Sequence, residues 1–368
     1  MFHSPAIRAR LPLLPPPGAV SSGGADTSLR TFAYSGAGHY ACMDKALKQL
    51  GYSWGHFDSI LDFGCGYGRM ARLFARHSGP YTGIDIMETG PQWLSANMEF
   101  GRFLVGPDLP PLNEGPSSFD AIFGISVFTH LTESSQQSWL EEFARLLQPG
   151  GLLIQTVHGR HAVELCRQHQ VWRDSLAVPP GAFERLDEEF SGRGFAWVPH
   201  AGQAGALSEH YGISAQSVDF IREHWCRDFE LLGIWSGAID GWQDIVILRR
   251  LGATDRPRVT PVLPVFPQAG AGEVGNVALQ CSSSRPWVGV PVRFEASATG
   301  RDIHYRFSVR EEGDFFRAIT DWSPDPRASH TFWTPGEYGM VVHAASGPGD
   351  HFHPAGGAGV AVTALDRS

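Results

Sequence analysis

Between about residues 29 and 250 the chain alternates short apolar runs with stretches whose apolar residues recur at helical spacing. Ile60–Phe63, Tyr81–Asp85, Arg102–Val105, Phe119–Val127 and Leu152–Val157 read as strands, short and continuous as buried strands are. After the first of them Met70, Leu73 and Phe74 fall at helical spacing, with Arg72 and Arg76 directed outward. Trp139, Phe143, Leu146 and Leu147 give one apolar face to a helix over 133–147. A helix over Ala215–Cys226 leads to strands Phe229–Trp235 and Ile245–Arg249. The link between those two is too short for a crossover, so they are expected to pair antiparallel. This alternation predicts an α/β layered sheet.

The pattern stops on either side of that region. Residues 1–28 are rich in Pro, Gly, Ser and Ala without either period, and read as a flexible arm. Residues 252–275 hold Pro257, Pro261, Pro264 and Pro267 among several glycines, which marks a linker. Beyond it, over 276–368, short runs such as Val277–Leu279, Val290–Phe294, Ile303–Val309 and Tyr338–His343 are separated by turn residues. They predict a small all-β sandwich domain. The expected division is an arm at 1–28, an α/β domain at 29–251, a linker at 252–275 and a sandwich at 276–368.

Composition narrows the function classes. A net charge of -9 over 368 residues argues against a duplex-binding surface. Five scattered cysteines without a C-x-x-C pair argue against a disulfide framework or a structural zinc site. No apolar run approaches a membrane span, and Pro12 and Pro15–Pro17 break the only candidate signal core. The expectation is a soluble cytoplasmic protein that uses neither nucleic acid nor membrane.

The densest signal is Asp62-Phe-Gly64-Cys65-Gly66-Tyr-Gly68-Arg69, a glycine-rich turn between a strand and a helical stretch. That order opens a doubly wound sheet at its ligand-binding edge. A nucleoside triphosphate loop needs Lys-Ser/Thr after its last glycine, and none is present. A dinucleotide fingerprint would put its third small residue at Arg69, whose long side chain obstructs close strand–helix packing.

The stretch instead resembles motif I of the Rossmann-like (class I) S-adenosylmethionine-dependent methyltransferases. Asp85 at the end of the second strand, Ser126-Val-Phe-Thr-His-Leu131 after the fourth and Arg145-Leu-Leu-Gln-Pro-Gly-Gly151 before the fifth extend the resemblance over roughly residues 32–250. It implies a seven-stranded, mostly parallel, doubly wound sheet with an antiparallel final hairpin. It also implies S-adenosylmethionine as cofactor, held by Asp62, Gly64, Cys65, Gly66, Gly68, Asp85, Ile86, Asp108, Leu109 and Ser126. In that pattern Asp62 meets the amino group, Asp85 the ribose hydroxyls, and Asp108 or Leu109 the adenine. The alternative is that these acids merely cap helices or turns.

Methyl transfer from a sulfonium is an in-line displacement, so the acceptor must be aligned and a hydroxyl must lose its proton. His130 and His158 follow the fourth and fifth strands and are the candidate bases, although either could simply pack. His161 reads as a helix surface residue. The long segment 159–214, with Trp172, Phe183, Phe190, Phe195, Trp197, His200, His210 and Tyr211, reads as a lid whose aromatics chiefly build its own core. His210 and Tyr211, flanked by Gly205 and Gly212, are the residues expected to reach substrate, together with Gln243. Gln243-Asp244 resembles the ending of bacterial methyltransferases of sugar and polysaccharide modification.

The C-terminal stretches around Phe332-Trp-Thr-Pro-Gly-Glu-Tyr338 resemble bacterial immunoglobulin-like modules. Trp322, Trp333 and Tyr338 read as packing residues, with a carbohydrate-stacking platform as the alternative. Asp350, His351 and His353 read as a turn, and no metal is expected. The strand-four ending Gly124-Ile-Ser-Val-Phe128 lacks the Pro-Pro-Tyr/Phe marker of base-methylating enzymes. The expected activity is methyl transfer to a hydroxyl or amine of a sugar, glycan precursor or secondary metabolite. Two alternatives stay open: methylation of a protein side chain, and a non-catalytic cofactor-binding protein. A homo-oligomer or a protein partner engaged through the sandwich also stays open.

Overall fold

The computed structural model describes residues 13–16, 29–201, 210–252, 274–311, 317–320, 323–346 and 356–366. The chain divides into two compact units, one mainly Gly36–Val265 and the other mainly Phe266–Ser368. Most of the arm and of the linker, Gly205, Trp322, Asp350, His351 and His353 lie outside the described residues.

The first unit is built on a seven-stranded sheet. Its strands are β1 (Ile60–Phe63), β2 (Tyr81–Asp85), β3 (Arg102–Val105), β4 (Phe119–Gly124), β5 (Leu147–Val157), β8 (Phe229–Ile239) and β9 (Gln243–Arg250). They lie in the order β3-β2-β1-β4-β5-β9-β8. The β1–β5 pairs are parallel, while β9 runs antiparallel to both β5 and β8. The sheet crosses over outward from β1 and again outward from β4, so loops after β1 and β4 diverge and leave a crevice at the carboxyl ends of the strands.

Helices cover the sheet by the spacing of their apolar residues. In α1 (Leu29–Gln49), Gly36, His39, Met43, Ala46 and Leu47 are buried. Short α2 (Thr89–Asn97) follows β2. In α3 (Glu133–Leu146), Thr132 caps the start by accepting from the Ser135 N–H at 3.2 Å, and Trp139, Phe143 and Leu146 are buried against the sheet. Each such side chain contributes on the order of 1.5–3 kcal/mol relative to exposure.

Between β5 and β8 lies an inserted layer: α4 (Arg160–Gln168), α5 (Gln170–Ser175), α6 (Ala182–Arg193), the hairpin β6 (Phe195–Pro199) and β7 (Gly212–Gln216), and α7 (Val218–His224). Val163, Cys166, Leu176, Phe183, Leu186, Phe190, Val198 and Ile213 form its own apolar cluster. Phe195 instead belongs to the main core, and Trp197 packs against it.

Three local expectations change. The helical stretch after the glycine loop is a single 3₁₀ turn, Ala71–Phe74, because His77-Ser-Gly-Pro80 stops it and returns the chain to β2. Arg72 does not face out: it is buried and donates to the backbone carbonyl of Leu13. The helix expected over Ala215–Cys226 begins only at Val218, since Ser217 caps it by accepting from the Phe220 N–H at 3.1 Å; Ala215 lies in β7.

The second unit has two antiparallel sheets. One has the order β10-β11-β14 (Gly275–Cys281, Pro291–Thr299, Arg327–Thr331). The other has the order β13-β12-β15-β16 (Arg317–Ala318, Ile303–Glu311, Gly336–Ser346, Gly356–Ala364). One apolar cluster draws Val292 and Phe294 from the first and Phe307, Met340, Val342 and Val362 from the second. Tyr338 is buried and donates its hydroxyl to the Thr334 carbonyl at 2.9 Å. Trp333, expected to pack, is 78% exposed.

A candidate active site at the carboxyl ends of the strands

Gly64, Gly66 and Gly68 all take the left-handed backbone conformation, with φ of 84°, 49° and 78°. That is why no other residue type sits there comfortably. The Gly64 and Cys65 N–H groups both donate to the Ile84 carbonyl, at 2.8 and 2.9 Å, which stitches the loop to β2. Cys65 is buried, its thiol against the position a Gly83 side chain would take. Above Gly66 there is open space: an added Cβ would meet nothing within 4 Å. The loop is a cradle with its middle residue facing out.

Asp85 fixes the cradle. Its Oδ2 accepts the Gly66 N–H at 2.8 Å and its Oδ1 accepts the Met87 N–H at 2.9 Å. Burial raises its carboxyl above the usual range, against the pull of those two bonds. Asp62 lies beneath the loop, buried on β1, and its Oδ2 accepts the Tyr81 hydroxyl at 2.6 Å. Burial pushes its pKa up to about 7; the Tyr81 bond opposes this, the Asp85 charge adds to it and the Arg69 charge opposes it. Its Oδ1 makes no hydrogen bond with any described residue.

Apolar side chains flank the cradle. Ile86, Met87, Val105 and Leu109 are exposed at the ends of β2 and β3. The loop bearing Asp108 and Leu109 is tied down from α3. The Trp139 indole donates to the Asp108 carbonyl at 3.3 Å. Glu142 accepts the Leu112 N–H at 2.7 Å while Arg145 grips Glu142 at 2.6 Å.

On the other side, β4 ends at Gly124 and Ser126 turns left-handed, φ 58°. The Ser126 N–H donates to Thr156 Oγ1 at 2.8 Å, and Gln243 accepts from Thr156 Oγ1 at 2.7 Å and donates to Ser126 Oγ at 2.8 Å. The Gln243 amide, expected to reach substrate, is occupied in holding the Ser126 turn.

His130 and His158 come together under β7. Each ring donates Nδ1–H to a carbonyl of that one strand, His130 to Gly212 at 2.7 Å and His158 to Ser214 at 3.0 Å. A carbonyl only accepts, so both rings carry their free lone pair on Nε2. Burial lowers the pKa of His130 to about 4, with the Gly212 bond opposing and His200 adding. Burial, then the neighbouring His130, lowers His158 to about 3. Tyr211 stacks on His130 with centroids 4.4 Å apart. Burial and then the Asp85 charge raise its pKa to about 12, so Tyr211 stands within the field of the cradle's carboxylate and stays protonated. His210, partly buried, adjoins it at the edge of the described residues. His161 is partly buried against the Gly241 carbonyl at 3.1 Å. Among the described residues no group of three or more His, Cys, Asp or Glu could hold a metal ion, and no helix is long and apolar enough to cross a membrane.

Residues 60–151 match the methyltransferase-domain family. The matched stretch runs from β1 to the start of β5 and so contains the glycine loop, Asp85, the Asp108 loop and His130. The chain is also 38% identical over 116 residues to a demethylmenaquinone methyltransferase of Tropheryma whipplei, covering 30% of this chain and 44% of that protein. The chain thus spans less than half the length of that curated relative. Similar solved structures include the PH0226 protein from Pyrococcus horikoshii, 15% identical with a TM-score of 0.42, covering 60% of this chain and 95% of that one. Another is the N-methyltransferase NodS from Bradyrhizobium japonicum in complex with S-adenosylhomocysteine, 12% identical with a TM-score of 0.35, covering 56% and 84%.

The methyltransferase-like site contains residues that pattern reasoning passed over. His39 of α1 is buried, with Nε2 2.8 Å from Asp240 Oδ2 on the β8–β9 turn. Gln136 of α3 is buried and donates to the Phe128 and Leu131 carbonyls at 2.9 and 3.2 Å; the Ser214 hydroxyl donates to the same Phe128 carbonyl at 2.7 Å. Together they clamp the His130 loop to β7. Trp172, expected in the lid, stacks at 4.8 Å on Trp242, which lies against His158. His39 and Gln136 have no sequence signature, because Asp240 and Ser214, which they meet, lie far along the chain.

Proposed function

We propose that the protein is an S-adenosylmethionine-dependent methyltransferase acting on a hydroxyl or amine of a small molecule, a sugar, glycan precursor or secondary metabolite. The observation that carries this reading is the single strand β7. Tyr211, the residue just before it, lies in the field of the Asp85 carboxylate and stacks on His130, while the strand's Gly212 and Ser214 carbonyls leave the Nε2 atoms of His130 and His158 unprotonated.

The residues fit the cofactor. Gly66 leaves open space, each Asp85 oxygen keeps a lone pair for a ribose hydroxyl, and Ile86 and Leu109 offer apolar surface for the adenine. When bound, S-adenosylmethionine supplies an electrophilic methyl group on sulfur. The two neutral imidazoles accept a hydrogen bond from the acceptor and turn its lone pair toward the cradle. A ring that protonates only near pH 3–4 is a weak base at neutrality. This favours an amine, or a hydroxyl of low pKa, over an ordinary alcohol. Tyr211, protonated, donates at the boundary between donor and acceptor.

All five cysteines are free thiols, which supports a reducing, cytoplasmic setting. The second unit reads as an immunoglobulin-like β-sandwich for binding or dimerisation, and the exposed Trp333 supports a contact surface there. Calorimetric titration with S-adenosylmethionine and S-adenosylhomocysteine tests the cofactor reading: micromolar binding of both is expected, and binding of neither refutes it. A labelled methyl donor with panels of amines and acidic hydroxyl compounds then tests the acceptor class.

A further inference from the structure

Two tryptophans of the second unit stand in water. Trp333 is 78% exposed and Trp287 is 49% exposed. Between residues 274 and 366 no other large apolar side chain among the described residues is exposed. Indoles are mostly buried in folded chains, so two left in solvent on one unit mark a surface with a use. Backbone contacts bring them to one place. The Gly289 N–H donates to the Phe332 carbonyl at 2.8 Å, which joins the turn over 287–290 to the residue before Trp333. Gly289 is left-handed, φ 78°, and a Cβ on it would lie 3.7 Å from Cζ3 of Trp333. The Trp333 ring therefore rests at van der Waals distance from the turn that carries Trp287. Both indoles are held by fixed backbone. Phe332 is buried against Tyr338, with ring centroids 4.5 Å apart, and the Tyr338 hydroxyl donates to the Thr334 carbonyl, so Trp333 sits between two anchored residues. The Val288 N–H donates to the Leu365 carbonyl at 3.0 Å and the Leu365 N–H to the Pro286 carbonyl at 2.8 Å, which pins Trp287 on both sides.

The size and the charge of the patch select its occupant. At about 150–250 Å² per aromatic side chain, the exposed fractions leave roughly 200–300 Å² of indole in water. A specific protein interface, one with a second copy of this chain included, buries about 800 Å² on each side. No exposed aliphatic side chain among the described residues of this unit's sheets extends the patch toward that area. The charged residues bordering it are of both signs: Arg285 stands two positions before Trp287, Asp366 follows Leu365, and both are exposed. Such a border suits neither a polyanion nor a polycation. We propose that Trp287 and Trp333 form a stacking platform for a neutral oligosaccharide of pyranose rings with equatorial substituents. A ring of that kind turns axial C–H bonds to its face, and these lie flat on the electron-rich face of an indole. Its hydroxyls point outward, to water and to the polar border. Because the indoles sit on anchored backbone, little freedom is lost when the sugar binds. The inference stands independently of the cofactor reading.

The test is calorimetric titration of the full-length protein with cellohexaose, xylohexaose and chitohexaose, all β-linked through rings of equatorial substituents. Saturable binding of at least one, with a Kd of about 1 mM or tighter, is expected. Trp333→Ala should weaken it about tenfold or more and the less exposed Trp287→Ala about threefold or more, while Trp333→Phe, which keeps a smaller flat ring, should retain part of it. Trp333→Ala should melt with wild type, because the side chain it removes is mostly in water. A loss of sugar binding in that variant is then not a loss of fold. Absence of binding to all three sugars by the folded wild-type protein overturns the proposal, and so does binding that Trp333→Ala leaves unchanged. Sedimentation without sugar tests the rival occupant: a dimer that Trp333→Ala dissociates would assign the indoles to a second copy and overturn the platform.

Discussion

Replacing Asp85 with asparagine removes one carboxylate oxygen from a position where both are used. Gly66 N–H donates to one at 2.8 Å and Met87 N–H to the other at 2.9 Å. An amide has a single acceptor oxygen and turns its NH₂ toward the second backbone donor. One bond to a charged group is therefore lost, and two N–H groups are set facing each other. Such a bond contributes about 1.5–3 kcal/mol; partial solvent exposure reduces this to about 1–2 kcal/mol. Each kcal/mol shifts the midpoint by roughly 2–4 °C for a unit of this size, so the ligand-free protein should melt about 2–8 °C lower. The same substitution leaves one oxygen to serve two ribose hydroxyls, and S-adenosylhomocysteine should bind about tenfold more weakly or worse. Thermal melting without ligand and calorimetric titration with it separate the two effects. A variant that melts with wild type shows that Asp85 does not hold the loop. One that also binds within twofold of wild type refutes the placement of the cofactor on Asp85.

Asp62→Asn should change stability with pH in a defined sense. The folded pKa of Asp62 is raised to about 7, so its stabilising contribution is present below the unfolded value near 4 and is lost as pH rises through about 7. Asparagine mimics the protonated acid, so the variant's melting advantage should grow between pH 4 and 7 while its S-adenosylhomocysteine affinity falls; a constant difference across that range refutes the assignment. His130, His158 and the buried Asp244 titrate alike in both proteins and cancel in the comparison. His158→Asn can still donate to the Ser214 carbonyl but has no Nε2. Turnover should fall on the order of a hundredfold with cofactor binding unchanged, and undiminished turnover would remove His158 from the chemistry. Gln136→Leu strands the Leu131 carbonyl and loosens the His130 loop; a cost of about 1–3 kcal/mol is expected in urea unfolding, and wild-type stability would show that the clamp is dispensable.

The strands of the sheet were legible in the sequence because burial on both faces demands continuous apolar runs, and Ile60–Phe63 or Leu152–Val157 can be little else. The glycine loop was legible for an equally local reason: three left-handed residues at alternate positions leave almost no alternative to glycine. Asp85 declared itself by standing where a strand meets a loop. The 3₁₀ turn at Ala71–Phe74 and the strand at Gly212–Gln216 were misread because helical spacing over a few residues does not count how much chain is available before the next breaker or cap. His130 and His158 could be named as candidates, but not their tautomers or their depressed pKa values. The tautomers come from Gly212 and Ser214 on a strand more than fifty residues away from either, and the depression comes from burial in the folded chain. Gln243 could be noticed, but that its amide is spent on Ser126 and Thr156 depends on β9 lying next to β5. Arg69 could only be counted against a dinucleotide loop; that α1 crosses it at Gly36 depends on the tertiary fold. Local pattern determined the elements and the cradle, because backbone geometry and burial act on neighbours in sequence. Tertiary structure decided which polar groups are used up and which are left for a ligand, because hydrogen bonding and desolvation depend on neighbours in space.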